Sequence, residues 1–289
     1  DYRYYGYGYT VLLIPFLKFI QEPILLYRML VLMMILAQSI IAPISYHLMQ
    51  KYLNVDNEKI LCLSAVCCSY LVAIRAVYTY PEFIYVLVMW LLAWLLLKMN
   101  RSVDDKRKKT GNTILLVLIL FYAATVHSRA TAVWIAVVFG IVYYGWVYRK
   151  KLVSIPVCVL MGLAAFALSK KGIELVLNYF VNASSTNISN TGVSFSAGYL
   201  LEDVKSWPAW VNIIIGQLNE AVIVTGGLAV FAVAVILILL WKGFRRQKQD
   251  AEELPEMSHY ILIGSVFLAA IVITIGGQSV GWLPGVTNA

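Results

Sequence analysis

The hydrophobic and polar positions form a simple pattern, in which long apolar runs are separated by short charged links. A bilayer core about 30 Å thick requires about 20 apolar residues per helix, and several of these runs approach that length. The pattern predicts eight membrane-spanning helices, over residues 29–49, 60–78, 82–98, 112–127, 130–147, 152–169, 220–241 and 259–276. Several of the runs are short for a full span, so we expect tilted or partly re-entrant helices.

The segment before the first predicted span has a different character. Its apolar stretch, residues 9–20 (YTVLLIPFLKFI), is shorter than a span and carries Pro15 and Lys18. That length favours an interfacial helix that lies along the membrane surface. We therefore expect residues 1–28 to be an external juxtamembrane segment.

A single long connection is predicted, over residues 170–219, between the sixth and seventh spans. It has an Asn/Ser/Thr-rich centre (NASSTNISNTGVS) between flanks that could form amphipathic helices. The predicted fold is all-α: a polytopic membrane helix bundle of about eight spans, with a short juxtamembrane helix and one long external loop. We expect one transmembrane domain over residues 1–289, with six spans in 29–169 and two in 220–276. Because residue 1 is Asp and the chain stops without a polar tail, we also expect a fragment cut at both ends.

Composition supports a membrane protein, because 61% of the residues are hydrophobic and only 13% are charged. The basic residues then orient it. With residues 1–28 outside, the links on the opposite face receive most of the cations: Lys51, Lys59, Lys98, Arg101, Lys106, Arg107, Lys108, Lys109, Arg149, Lys150, Lys151, Lys242, Arg245, Arg246 and Lys248. By the positive-inside rule this face is cytoplasmic. The net charge of +8 therefore indicates topology and attraction to anionic membrane lipids rather than binding to nucleic acid. We expect a multi-pass protein of a bacterial plasma membrane.

Metal and cofactor chemistry is not predicted. Cys62, Cys67, Cys68 and Cys158 lie within apolar runs, form no C-x-x-C pair and have no neighbouring histidine. Such cysteines behave as small hydrophobic side chains, so no metal site is expected there.

The polar residues that stand out are predicted to lie on the external face. Glu82 follows Pro81 in AVYTYPEF, between two apolar runs. A carboxylate there could stabilise the start of a helix, or it could serve a substrate, since ionisable groups at membrane depth are often functional. His127 and Arg129 lie in the turn VHSRA, and for His127 the pattern favours a solvated hairpin tip.

Four cations run against the positive-inside rule: Arg75, Arg129, Lys170 and Lys171. All are predicted at helix ends on the external side, where Arg75 could also extend toward lipid headgroups. Together they suggest that an anion is held on that side. Phosphate at a membrane surface is the natural candidate, because Lys and Arg form charge-assisted hydrogen bonds to its oxygens.

The stretch YRYYGYGYTVLLIPFLKFIQEPILLYRMLVLMMILAQSIIAPISYHLM resembles GT-C glycosyltransferases that use polyprenyl-phosphate sugars. The protein mannosyltransferases and aminoarabinose-transferase-like enzymes share its layout. In that superfamily an aromatic segment with Gly and Pro opens a short juxtamembrane helix, a brief turn follows (QEP), and an Arg (Arg28) starts a long helix. The resemblance continues through the YPEF loop, the VHSR turn and the long external loop.

This resemblance implies transfer of a sugar from a polyprenyl-phosphate donor to a lipid, glycan or protein acceptor on the non-cytoplasmic face. It implies catalytic roles for Glu82 and His127. Residues expected to bind the donor or acceptor are Arg75, Arg129, Lys170, Lys171, Tyr7 and Tyr9. The family's key Asp stands in the first external loop, well before the Y-G-Y run. That position would precede residue 1 and is not filled by Asp1, so we expect the main catalytic base to lie upstream.

Two alternatives stay open. A transporter or flippase could use Arg75 and Glu82 as a substrate or proton site. Against it, the unusual charges are predicted at helix ends on one side, whereas transport sites favour the bilayer midplane. A glycan polymerase or ligase would share the large external loop and the class of lipid donor.

Overall fold

The computed structural model describes residues 7–73, 81–127, 130–165 and 258–279, with short helical pieces at 167–168, 233–234, 236–238 and 241. Most of these residues are helical, and none of them forms a strand. The helices are α1 Tyr7–Phe19, α2 Pro23–Ser39, α3 Ile41–Tyr52, α4 Glu58–Ala73, α5 Glu82–Arg101, α6 Lys106–Val126, α7 Ala130–Tyr148, α8 Ile155–Ala165 and α9 Ser258–Ser279. The predicted all-α class is therefore confirmed for the described part of the chain.

Three of the described stretches are long and apolar enough to cross a membrane: Pro23–Tyr52, Phe83–Arg101 and Lys106–Val126. The first joins α2 to α3, because Ile40 between them keeps helical angles (φ −64°, ψ −22°). Shorter apolar stretches are Tyr7–Phe19 in α1, Ala132–Tyr148 in α7, Ile155–Ala165 in α8 and Ser258–Ile273 in α9. The described chain thus has the character of a membrane protein, and the count of eight spans stays a prediction. The long loop at 170–219 and most of 220–241 lie outside the described residues.

The first long helix begins earlier than the predicted boundary at residue 29. Pro23 is the first residue of α2, and it follows Glu22, whose backbone is extended. Proline is favoured there because the first helical N–H has no partner to lose and the ring presets the helical φ. Arg28 therefore lies inside α2, and the expectation that it starts the helix is wrong.

A second boundary differs at α6, which begins at Lys106 rather than near residue 112. The basic run Lys106–Lys109 was expected in a link but forms the first turn of the helix. Cations at a helix N-terminus oppose the helix dipole, and a capping carboxylate compensates. Asp105 provides it, because one oxygen accepts from the backbone N–H groups of Arg107 (3.0 Å) and Lys108 (3.1 Å). Its other oxygen lies 3.2 Å from Lys108 Nζ.

The chain divides into two compact units, Asp1–Ala130 with Leu152–Asn182, and Thr131–Lys151 with Ala183–Ala289. In the first unit α3 packs on α4, α5 on α6, and α1 on both α6 and α2. A buried cluster connects α2, α5, the end of α6 and the first residue of α7. It consists of Met34, Ala37, Phe83, Ile84, Val88, Ala123, Val126 and Ala130, and we call it the core cluster.

In the second unit α7 packs closely on α9 through a glycine. A Cβ placed on Gly140 would lie 3.3 Å from Ser265 Oγ and closer still to the side chain of Val266. Small residues permit such close approach of apolar helices in a membrane, where packing replaces the hydrophobic effect as the driving force. The outer side of α7 leaves Val138, Phe139 and Val142 exposed, as expected for a surface in contact with lipid.

Candidate functional site

The start of α5 and the end of α6 lie side by side. Phe83 and Ile84, in the first turn of α5, share the core cluster with Ala123 and Val126 in the last turn of α6. The pairing follows from sequence, because a short link between two apolar helices makes them antiparallel neighbours. Position 82 and position 127 are therefore brought to the same end of the first unit.

His127 terminates α6 and is buried. Its backbone leaves the helix in an extended conformation (φ −147°, ψ 138°). Its N–H donates to the carbonyl of Ala123 (3.0 Å), and its own carbonyl accepts from the N–H of Ala130 (3.1 Å). This local geometry confirms a tight turn. The alternative of a solvated hairpin tip is wrong for His127, because the residue is only 4% exposed.

The ring of Tyr85 packs against the ring of His127. Their centroids are 5.5 Å apart and their planes are inclined by 40°. Tyr85 also packs against the core cluster. The imidazole is therefore held between an aromatic side chain of α5 and the apolar end of α6, in a position shielded from solvent.

The N-terminal turn of α1 reaches the same end of the unit. Gly8 is buried, and a Cβ added there would lie 2.9 Å from the carbonyl carbon of Thr125. Only glycine permits this approach, because any larger side chain would displace α6. Tyr9 packs against the core cluster. Tyr7 is partly buried, and this burial raises the pKa of its phenol. The structure thus brings Tyr7 and Tyr9 to the end of the unit that carries His127.

Glu82 is the first residue of α5 and follows Pro81, which is buried. Its predicted position at a helix start is confirmed, whereas its side chain lies outside what the structure describes. The first N–H groups of a helix have no partner within it, and the helix dipole makes this end favourable for negative charge. Both the structural and the functional role predicted for the carboxylate fit this position.

The four cations predicted to hold phosphate, Arg75, Arg129, Lys170 and Lys171, lie outside the described residues. Arg129 follows the buried His127 by two positions, and Arg75 precedes the start of α5 by a few residues. Their roles stay predictions.

Several residues of this site were not identified from sequence. Besides Gly8 and Tyr85 they include Tyr122, whose Oη is buried with no hydrogen-bond partner and whose side chain packs against the core cluster. Two signals could have found Tyr85 and Gly8. Tyr85 lies three positions after Glu82, on the same helical face, and Gly8 separates two tyrosines in a run where close helix contact needs a glycine.

We call the assembly of Tyr7, Gly8, Tyr9, Tyr85, Tyr122 and His127, with the start of α5, the aromatic–histidine site. An imidazole can accept or donate a proton near neutral pH, and tyrosine offers both an apolar ring and a hydroxyl group. Among the described residues no group of His, Cys, Asp and Glu could hold a metal ion. The arrangement suits recognition of a polar ligand with hydroxyl groups and movement of a proton.

The chain matches no protein-family model, no curated protein and no solved structure. The described fold and site define a helical protein with three potential membrane spans and an aromatic–histidine site at one end of its first unit.

Proposed function

We propose that the protein is a membrane glycosyltransferase that moves a sugar from a polyprenyl-phosphate donor to an acceptor on the non-cytoplasmic face. The observation that supports it is the aromatic–histidine site. Three separate helices bring Tyr7 and Tyr9, the Glu82 position and the buried His127 to one end of the first unit. These residues belong to the same segments whose sequence resembles GT-C enzymes. The proposal includes eight spans and a location in a bacterial plasma membrane.

The depth of this end fits a donor that is itself a lipid. The candidate span Phe83–Arg101 starts at the site, and the span Lys106–Val126 ends at it. The opposite ends carry Lys98, Arg101 and the Lys106–Lys109 run, which the positive-inside rule assigns to the cytoplasm. A site at the external ends of two spans lies level with headgroups, where the phosphate of a polyprenyl donor is found. It lies away from the midplane position that transport favours.

The proposed reaction needs a base, a leaving-group site and an orienting surface. The acceptor hydroxyl loses its proton to a carboxylate, its oxygen bonds to the anomeric carbon, and the bond from that carbon to the phosphate oxygen breaks. The departing phosphate keeps the electron pair, so cations stabilise it. In this proposal Glu82 takes part in the proton transfer or orients the acceptor, and His127 assists it. Arg75, Arg129, Lys170 and Lys171 hold the phosphate, while Tyr7 and Tyr9 contact the sugar or the acceptor.

Sugar transfer can be measured directly. Membranes that contain the full-length protein would be incubated with radiolabelled polyprenyl-phosphate sugars, and transfer of label to lipid, glycan and protein fractions would be counted. We expect donor-dependent transfer that Arg129→Ala weakens about ten- to hundredfold, since a lost charge-assisted bond is worth about 1.5–3 kcal/mol. Arg107→Ala is the matched control, because Arg107 is exposed in the first turn of α6, at the opposite end of that helix.

Failure would be equally clear. If no donor gives transfer, and labelled lipid-linked sugar instead moves across the membrane of vesicles that contain the protein, the transferase proposal is wrong and the transporter alternative is supported. If Arg129→Ala and Arg107→Ala reduce transfer equally at matched expression, Arg129 does not bind the donor.

The proposed topology has its own test. Cysteines introduced at Ser102 and Ser206 should react with an impermeant reagent from opposite sides, with position 206 reacting from outside. Reaction of both positions from one side would contradict the eight-span arrangement.

A further inference from the structure

We propose that Lys51 and Arg101, which converge on the ring of Tyr52 at the ends of two candidate spans, form a binding site for the headgroup of an anionic phospholipid. This site lies at the opposite end of α5 from the aromatic–histidine site, and it does not depend on the proposed transfer reaction.

The geometry joins the C-terminal ends of α3 and α5. Arg101 Cζ lies 4.5 Å from the centroid of the Tyr52 ring, and Lys51 Nζ lies 5.8 Å from the same centroid. Arg101 Nη2 also donates to the main-chain carbonyl of Lys51. Tyr52 is only 4% exposed, whereas Lys51 and Arg101 are exposed. A buried ring thus holds two exposed cations close to each other.

Charge makes the pair suited to an anion. Among the described residues neither Lys51 nor Arg101 forms an ion pair with a carboxylate, while the nearby Asp105 is engaged by Lys108. The partial negative charge at the C-terminal ends of α3 and α5 stabilises the two cations there. The hydrogen bond from Arg101 to the carbonyl of Lys51 occupies only part of the five N–H donors of the guanidinium group. The remaining donors of Arg101 and the ammonium group of Lys51 can bind phosphate oxygens.

Depth in the membrane identifies the occupant. The candidate span Pro23–Tyr52 ends at the ring, and the span Phe83–Arg101 ends at the guanidinium. One turn further into the membrane, Lys98 Nζ lies 4.9 Å from the centroid of the Trp94 ring, and aromatic side chains of this kind mark the boundary of the hydrocarbon core. Phosphate at that level belongs to a lipid headgroup. The positive-inside rule places this end in the cytoplasmic leaflet, which carries the anionic lipids.

The test uses the full chain purified in a neutral detergent. Phosphatidylglycerol or phosphatidylcholine is added, and retained lipid is counted by native mass spectrometry while the unfolding temperature is followed. The test variant is Lys51→Gln with Arg101→Gln. Its matched control is Lys106→Gln with Arg107→Gln, which removes the same charges from exposed positions at the start of α6. We expect phosphatidylglycerol to bind the test variant about tenfold or more weakly than the wild type, and the control within about threefold.

Lys51→Gln alone keeps the proposal testable if the double variant does not fold, because the bond from Arg101 uses the main-chain carbonyl of Lys51. This variant should also weaken phosphatidylglycerol binding, and inorganic phosphate at millimolar concentration should not compete. The proposal is overturned if the test and control variants lose phosphatidylglycerol binding equally, or if Lys51→Gln binds phosphatidylglycerol like the wild type. It is also overturned if phosphatidylcholine binds the wild type as tightly as phosphatidylglycerol does, or if inorganic phosphate displaces the lipid.

Discussion

The imidazole of His127 lies against the phenol ring of Tyr85, with ring centroids 5.5 Å apart and planes inclined by 40°. Tyr85 lies in the first turn of α5 and His127 caps the end of α6, so this contact joins the start of one helix to the end of the next. It encloses a group that can carry a proton within an apolar environment. Under the proposed function, the contact sets the orientation of the imidazole relative to the Glu82 position.

His127 can be tested against a second histidine in a similar setting. His47 also lies beside a tyrosine ring, with its centroid 6.5 Å from that of Tyr52, but it is exposed. We expect His127→Gln to lower the rate of sugar transfer about a hundredfold or more, because it removes a proton-carrying group. His47→Gln should change the rate less than about threefold. The measurement is initial transfer rate at matched amounts of folded protein, and equal rates in the two variants would exclude a catalytic role for His127.

Glu82→Gln separates the two roles of the carboxylate at the start of α5. Glutamine keeps the shape and some capping ability and removes the charge. A role confined to stabilising the helix start through its charge predicts a loss of about 0.3–1 kcal/mol of unfolding free energy and little change in activity. The proposed function predicts a loss of transfer rate on the order of a hundredfold with folding and membrane insertion intact. A transfer rate close to that of the wild type would leave Glu82 with only a structural role, as a negative charge at the start of α5.

Gly8 and Gly111 form a matched pair for the packing of α1 on α6. A Cβ at Gly8 would meet the backbone and side chain of Thr125, whereas a Cβ at Gly111 has nothing within 4 Å. We expect Gly8→Ala to destabilise the protein by about 1–3 kcal/mol through overpacking. Gly111→Ala should stabilise it by about 0.5–1 kcal/mol, because alanine is the better helix former. Unfolding in detergent would measure both, and a stabilising Gly8→Ala would contradict the close contact of α1 with Thr125.

Because of the bonds that Asp105 makes at the start of α6, we expect the stability of the fold to depend on pH. The hydrogen bond from the backbone N–H of Lys108 is the largest cause that lowers the pKa of Asp105, followed by the bond from the Lys108 side chain. A carboxyl with a lowered folded-state pKa stabilises the fold above its unfolded pKa of about 3.9, and the contribution disappears as pH falls through the lower folded-state value. The unfolding temperature of the wild type should therefore exceed that of Asp105→Ala at pH 6, and the difference should shrink below about pH 4. A difference that stays constant from pH 6 to pH 3 would contradict this.

Much of the helical architecture could be predicted from the pattern of apolar runs. Length and hydrophobicity alone placed helices at 82–98 and 130–147, because an apolar run between polar links has few alternatives to a helix in a bilayer. Boundaries were predicted less well where local chemistry decides them. Pro23 starts α2 before Arg28, and the cap formed by Asp105 lets the run Lys106–Lys109 join α6. Both helix starts depend on a single residue, Pro23 or Asp105, whose effect does not appear in a pattern of hydrophobicity.

The predictions about the site also fall into those that local sequence supports and those that depend on tertiary packing. Local sequence is enough to predict that Glu82 begins a helix and that His127 lies in a tight turn, because both properties depend on neighbouring residues along the chain. The packing of the helices, by contrast, buries His127, sets Tyr85 against it and, at Gly8, lets the tyrosines of α1 approach the end of α6. These contacts join residues far apart in sequence. Their geometry depends on how helix surfaces fit together, and a pattern along a single chain does not contain that information.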